Sequence, residues 1–165
     1  MKKTNVQRLL DAAGIRYESR EYPPDSSDPG AERAARLLGL PPGQVFKTLV
    51  LKGPSSALLV CCVPADGELD QKKAAALAGE KSVRLIPVKD LEPLTGYIRG
   101  GCSPIGMKKK FPTFIDETAE LFPYIAVSAG MRGVQILIAP SDLARFTGAL
   151  FADLLFQGTS KNFSF

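Results

Sequence analysis

Lys47 stands alone among apolar neighbours in the run Val45-Phe46-Lys47-Thr48-Leu49-Val50-Leu51. Further on, a loop built on Gly100, Gly101, Cys102, Ser103, Pro104 and Gly106 leads into three consecutive lysines, Lys108, Lys109 and Lys110. Paired glycines, a Ser-Pro step and a third glycine exclude a helix or a regular strand interior. Such a loop can bring bare backbone N–H groups close to a ligand, and the Gly101 N–H is the candidate donor to a developing oxyanion. A lone cation, a backbone-lined loop and a basic rim together fit an acyl or phosphate-bearing substrate. Each part also has a plain structural reading. Lys47 can snorkel to a strand edge, the glycines can merely permit positive φ, and the lysines can be a solvated charged face.

The chain contains no histidine. A Ser-His-Asp triad, a Cys-His pair and any His-ligated metal are therefore excluded within it. Catalysis would have to run on lysine, carboxylates, hydroxyls, backbone amides or the substrate's own groups. Cys61 and Cys62 are adjacent in an apolar stretch and Cys102 lies in the glycine loop. Three cysteines make neither a disulfide framework nor Cys-x-x-Cys metal spacing. Cys102 has no histidine to activate it, so a small loop side chain is the better reading than a nucleophile.

These residues need elements to position them. With 165 residues, 45 % of them apolar, a single domain over 1–156 with a frayed polar tail over 157–165 is expected. The net charge of +4 favours a polyanionic partner without demanding one. No apolar run is long enough to span a membrane, and Met1–Asn5 meets a polar amphipathic segment, so a cytoplasmic location is expected. Helical spacing of Val6, Leu9, Leu10 and Ala13 predicts a helix over 5–13, capped by Thr4 or Asn5. Alternation predicts a strand over 15–22, and 23–30 reads as a loop. A helix follows over 31–38, stopped by Gly39. Strands over 45–52 and 57–63, separated by Gly53-Pro54-Ser55-Ser56, predict a hairpin that puts Val45, Lys47, Leu49 and Leu51 on one face. Asp70 caps a helix over 72–78. A short strand over 82–85, a helical turn over 88–91, strands over 113–116, 124–128 and 134–139, and a helix begun by Pro140-Ser141-Asp142 complete the pattern. Strands and helices mix without a regular βαβ rhythm, which predicts an α+β fold with a mixed sheet.

Taken in order, several segments resemble the YbaK/EbsC family, relatives of the editing insertion domain of bacterial prolyl-tRNA synthetase. They are Val-Phe-Lys-Thr-Leu at 45–49, Pro-Ala-Asp-Gly-Glu-Leu-Asp-Gln-Lys-Lys at 64–73, Thr95-Gly96-Tyr97, the loop with Gly100 and Pro104, Lys108-Lys109, Pro-Thr-Phe-Ile-Asp at 112–116, and Val-Ser-Ala-Gly-Met-Arg-Gly at 127–133. The resemblance runs from about residue 5 to about 155.

It implies a compact, barrel-like mixed sheet surrounded by short helices, and hydrolytic removal of a wrong amino acid from aminoacyl-tRNA without metal or cofactor. The free-standing members most resembled clear cysteine from tRNA for proline, with the substrate's own thiol attacking the ester carbonyl. Carried over residue by residue, Lys47 would hold the substrate and Gly101 would offer its amide. Tyr22, Thr48, Gly100, Cys102, Ser103, Pro104 and Gln135 would line the pocket, and Lys108, Lys109 and Lys110 would meet tRNA phosphates. The acceptor end of tRNA is the implied partner, with prolyl-tRNA synthetase as a second candidate. The sequence departs from the family pattern twice. Pro29 falls where an aromatic is expected, and Gln135 where a carboxylate is expected, which leaves the amino-acid preference open. Editing of Ala- or Ser-tRNA through an activated water, and a non-catalytic tRNA-binding or regulatory module, are the alternatives.

Overall fold

The computed structural model describes residues 2–158. The predicted tail therefore falls largely outside the described residues. Five helices and eight strands follow in the order α1 (Asn5–Ala12), β1 (Glu18–Glu21), α2 (Ala31–Leu38), β2 (Phe46–Lys52), β3 (Leu58–Pro64), α3 (Gln71–Ala78), β4 (Arg84–Leu85), α4 (Val88–Thr95), β5 (Thr113–Asp116), β6 (Ile125–Met131), β7 (Val134–Ile138), α5 (Pro140–Thr147) and β8 (Leu150–Ala152). Local chemistry sets the helix ends. Thr4 and Gln7 form a reciprocal capping box on α1. Asp70 accepts from the Lys72 and Lys73 amides to start α3, and Gly39 and Gly79 end α2 and α3 in the left-handed conformation.

The strands form two sheets. One has three strands in the order β1-β7-β6, the other five in the order β4-β2-β3-β5-β8. The larger sheet is mixed, since β3 pairs parallel to β5 and β5 parallel to β8, while the β2–β3 hairpin is antiparallel. The α+β expectation holds, but barrel-like closure does not, because neither sheet closes. Closure needs a continuous ladder joining the two edges. Here β4 and β8, with two and three residues, lie on opposite edges, and among the described residues the backbones of the two sheets are linked by an isolated parallel bridge between Val45 and Ala126.

Three other differences have identifiable physical causes. Ile15–Tyr17 precede the ladder, so β1 begins only where Glu18 pairs with Leu137. The predicted helical turn at 88–91 extends to Thr95 despite Pro93. The turn after the proline is held by Gly96 N–H donating to the Glu92 carbonyl and Thr95 Oγ1 to the Leu91 carbonyl. β8 was not predicted at all; its three residues are placed by pairing with β5.

The main core gathers Phe46, Val50, Ile115, Ile125, Ile136, Ile138 and Leu143 from both sheets and α5. A second cluster joins Leu51, Leu59, Cys61 and Val63 to α3, and a small third one, Val45, Ala126 and Leu137 with Ala35 of α2, seals the junction of the sheets.

Candidate functional site

A cavity of about 320 Å³ opens beside that junction. Residues Phe46 to Val50 of β2 form its base, Ser128 and Gln135 one wall, and Arg99, Gly100 and Cys102 its lip. Pro29, Gly30 and Ala31 at the start of α2 close one side, and Leu85, Ile86, Val88 and Leu91 the other.

Alternation along β2 splits its side chains as predicted. Phe46 and Val50 enter the main core, whereas Leu49 and Leu51, on the Lys47 side, pack in the second cluster. Lys47 is half-buried, and its Nζ donates to the Ala65 carbonyl at 3.2 Å. An ammonium has three N–H donors, so donors remain for a ligand. Lys47 also borders a more open groove of about 730 Å³, which it shares with Leu49 and Leu85 and which extends to Lys72 and Phe156. Thr48 lies within 3.9 Å of the Cys62 sulfur.

Gln135 sits on β7, the central strand of the small sheet, opposite Arg20 on one side and Ser128 on the other. It is only 5 % exposed, and its Oε1 has no hydrogen-bond partner among the described residues. An unpaired buried acceptor costs about 1–3 kcal/mol. A ligand N–H or O–H entering the cavity would relieve that cost.

The glycine loop is held from below. Tyr97 Oη donates to the Ile105 carbonyl, and Lys108 N–H to the Thr95 carbonyl. The Gly101 N–H is not aimed into the cavity. It donates to the Ile98 carbonyl at 2.9 Å and closes a turn in which Gly100 has φ +86°. Glycine at 101 serves close approach, since a Cβ there would lie 3.1 Å from Met131 Cα and 3.2 Å from Arg132 N. Gly100 and Cys102 line the cavity, and their amides carry no protein partner among the described residues.

Burial pushes the Cys102 thiol up to about 12, with nearby Cys62 adding to it. Cys61 and Cys62 are also raised to about 12, chiefly by burial. All three are therefore protonated at neutral pH and poor nucleophiles.

The remaining predicted residues lie elsewhere. Ser103 is buried beneath the loop and its Oγ accepts from the Ile105 amide. Pro104, Lys109 and Lys110 line a separate depression with Phe146 and Thr147, and Lys108 Nζ donates to the Pro93 carbonyl. Tyr22 follows β1 with its N–H bonded to the Gly133 carbonyl, and its ring lies 5.9 Å from the Arg33 guanidinium carbon. So the fold brings Lys47, Thr48, Gly100, Cys102 and Gln135 to one cavity and leaves Tyr22, Ser103, Pro104 and the three lysines off its walls. Sequence reasoning assigned no role to Ser128, Arg99 or Arg132. The signal available for the arginines was that each precedes a turn glycine, in Arg99-Gly100 and Arg132-Gly133.

Comparison with known proteins bears on this arrangement. The aminoacyl-tRNA editing domain pattern matches residues 27–146. An Enterococcus faecalis protein provisionally named as a Cys-tRNA(Pro)/Cys-tRNA(Cys) deacylase, EbsC, is 44 % identical over 152 residues, 92 % of this chain and 93 % of that protein. A proline–tRNA ligase of Lactobacillus delbrueckii is 27 % identical over 123 residues, covering 74 % of this chain but only 22 % of the ligase. A crystal structure described as a candidate trans-editing enzyme for prolyl-tRNA synthetase superposes with a TM-score of 0.80 at 28 % identity, covering 94 % of this chain and 99 % of the other. With the cavity, the lysine strand and the glycine loop inside the matched region, this chain belongs to the aminoacyl-tRNA editing domain family.

Proposed function

We propose that residues 1–156 act as one editing domain, an aminoacyl-tRNA deacylase working in trans on Cys-tRNA(Pro). The observation that carries this reading is a cavity that offers positioning groups, in a chain with no histidine to activate its hydroxyls or its thiol. It has a cation at Lys47, unpartnered amides at Gly100 and Cys102, an orphan acceptor at Gln135, and a thiol held protonated by burial. The E. faecalis relative's name supports the choice of cysteine.

In this mechanism the aminoacyl ester enters with its carbonyl oxygen toward the loop amides. Those donors stabilise the charge that develops on that oxygen, in place of the Gly101 amide, which is bonded within its own turn. Lys47 anchors the substrate, and the Gln135 carbonyl accepts from a substrate N–H or O–H. The substrate thiol then attacks its own carbonyl carbon. A sulfur–carbon bond forms, the ester carbon–oxygen bond breaks, and the thiol proton ends on the ribose oxygen of the departing tRNA. Holding thiol and carbonyl in attack geometry is the enzyme's main contribution. The terminal adenosine would extend into the adjoining groove past Leu85 toward Phe156. Lys108, Lys109 and Lys110 are offered to acceptor-stem phosphates farther from the ester.

The test is hydrolysis of tRNA(Pro) charged with Cys, Ala, Ser or S-methylcysteine. Turnover of the Cys ester alone supports substrate-thiol chemistry. Comparable turnover of the Ala or Ser ester would replace it with an activated-water mechanism, and no turnover of any ester would leave a binding module.

A further inference from the structure

Two tight turns meet backbone to backbone at the mouth of the cavity. One is Ile98–Gly101, closed by the Gly101 N–H. The other is the tip of the β6–β7 hairpin, where Met131 pairs with Val134 and Gly133 has φ +86°. The missing Cβ of Gly101 is what lets the first turn rest on Met131 and Arg132. Each turn presents an arginine at its second position, Arg99 and Arg132. Arg132 Nε donates to the Arg99 carbonyl at 2.8 Å, which ties the two turns together and leaves both terminal nitrogens of that guanidinium uncommitted. The same Nε would lie 3.3 Å from a Cβ on Gly100, so the Arg132 side chain runs along the cavity lip, while Arg99 lines the cavity itself.

Their charges are unanswered. Arg20, Arg36 and Arg145 each have a carboxylate within 4.0 Å; among the described residues Arg99 and Arg132, like Arg8, Arg16, Arg33 and Arg84, have none, and of these six only Arg99 and Arg132 are tied together at the cavity. Two arginines brought together by touching turns, one guanidinium tied at its Nε and both without counter-charges, at the entrance of an ester-sized cavity are suited to phosphate recognition.

We infer that Arg99 and Arg132 form a clamp for a phosphodiester near the 3′ end of single-stranded RNA, close to the aminoacyl ester. The choice of that phosphate rests on the deacylase reading; the clamp itself rests on the arginine geometry. It separates two electrostatic contacts: the arginines hold the terminal phosphates at the cavity mouth, and Lys109 and Lys110, on another depression, cannot substitute for them.

The experiment measures binding of two non-hydrolysable probes, cysteine joined by an amide to 3′-amino-adenosine and the same group on CpCpA, at several salt concentrations. The proteins compared are wild type, Arg99→Ala/Arg132→Ala and Arg99→Lys/Arg132→Lys, with circular dichroism to verify folding. The double alanine variant is expected to weaken CpCpA-probe binding at least about tenfold more than adenosine-probe binding. It should also flatten the log–log salt slope by about 0.7 to 1.4, for one or two phosphates. The lysine pair, which keeps the charge but loses the fork, should restore the slope with only part of the affinity. Equal losses on both probes, or an unchanged slope for the CpCpA probe in a folded variant, would overturn the clamp. Because binding is read without turnover, such a result bears on the clamp alone, while inactive wild type on Cys-tRNA(Pro) bears on the deacylase reading alone.

Discussion

The two ends of the 100–110 segment serve different surfaces. Its glycine end faces the cavity with Gly100 and Cys102, while its lysine end forms the wall of another depression with Phe146 and Thr147. Between them Ser103 and Ile105 are fully buried and pin the chain, so residues adjacent in sequence diverge in space. The difference teaches that a glycine loop and a basic tract need not share a surface because they share a segment. Positive charge at the cavity comes instead from Lys47 on β2, from Arg99 just before the glycines, and at its edge from Arg132 on the β6–β7 turn.

The largest effect that would sharpen this contrast is expected at Lys47. Lys47→Ala should lower kcat/KM for Cys-tRNA(Pro) by about 10- to 100-fold, the scale of one hydrogen bond to a charged group. The melting temperature should barely change, because Lys47 is only half-buried and makes a single backbone contact. Near-wild-type turnover would reduce Lys47 to a snorkelling strand residue.

Gln135→Met should move stability and function in opposite directions. Removing the orphan acceptor while keeping most of the volume is expected to raise stability by up to about 1 kcal/mol in urea titration. KM should rise about three- to tenfold as a ligand hydrogen bond is lost. A stability gain with unchanged KM would mean the ligand does not use the Gln135 oxygen.

Next in size is neutralisation of Lys108, Lys109 and Lys110 together. On full-length charged tRNA the salt dependence should become shallower by roughly 0.7 to 0.9 per phosphate released. Hydrolysis of an aminoacyl-adenosine should fall far less than hydrolysis of tRNA. Equal loss on both substrates would join the two depressions into one functional surface and break the comparison.

The smallest effect is expected at the thiol. Cys102→Ser should keep turnover within a few-fold, and iodoacetamide should label Cys102 in the native protein only slowly, since its pKa is raised from the ordinary 9.0 to about 12 by burial. The folded state holds this proton more tightly than the unfolded chain. The associated stability is therefore fully present below about pH 9 and declines as pH rises toward 12. Denaturation at fixed urea should become easier above about pH 9, and less so in Cys102→Ala. A thioester trapped on folded wild type, absent from Cys102→Ser, would restore a protein nucleophile.

Much of this molecule was legible in its residues. Helix α2 lies where its apolar spacing and Gly39 place it, and Asp70 caps α3 through its side chain, because these are local hydrogen-bonding and steric effects. Lys47 stood out because a cation in an apolar alternating run has few places to go. For the Gly101 amide, sequence shows that a donor exists but not which carbonyl it meets; here that carbonyl is Ile98, three residues away. Gln135 was named from the family pattern, yet its lack of a partner depends on what β1, β6 and the loop place around it.

The sequence by itself determined most of the element types, the absence of histidine chemistry and the family, since propensity, composition and motif order are properties of the chain alone. Only the tertiary structure decided that the two sheets stay open and touch at Val45 and Ala126, that the lysine tract turns away from the cavity, and that Arg99 and Arg132 come together. Those outcomes depend on contacts between residues tens of positions apart, where buried side chains and backbone approach at Gly101 select the arrangement, and no local pattern encodes them.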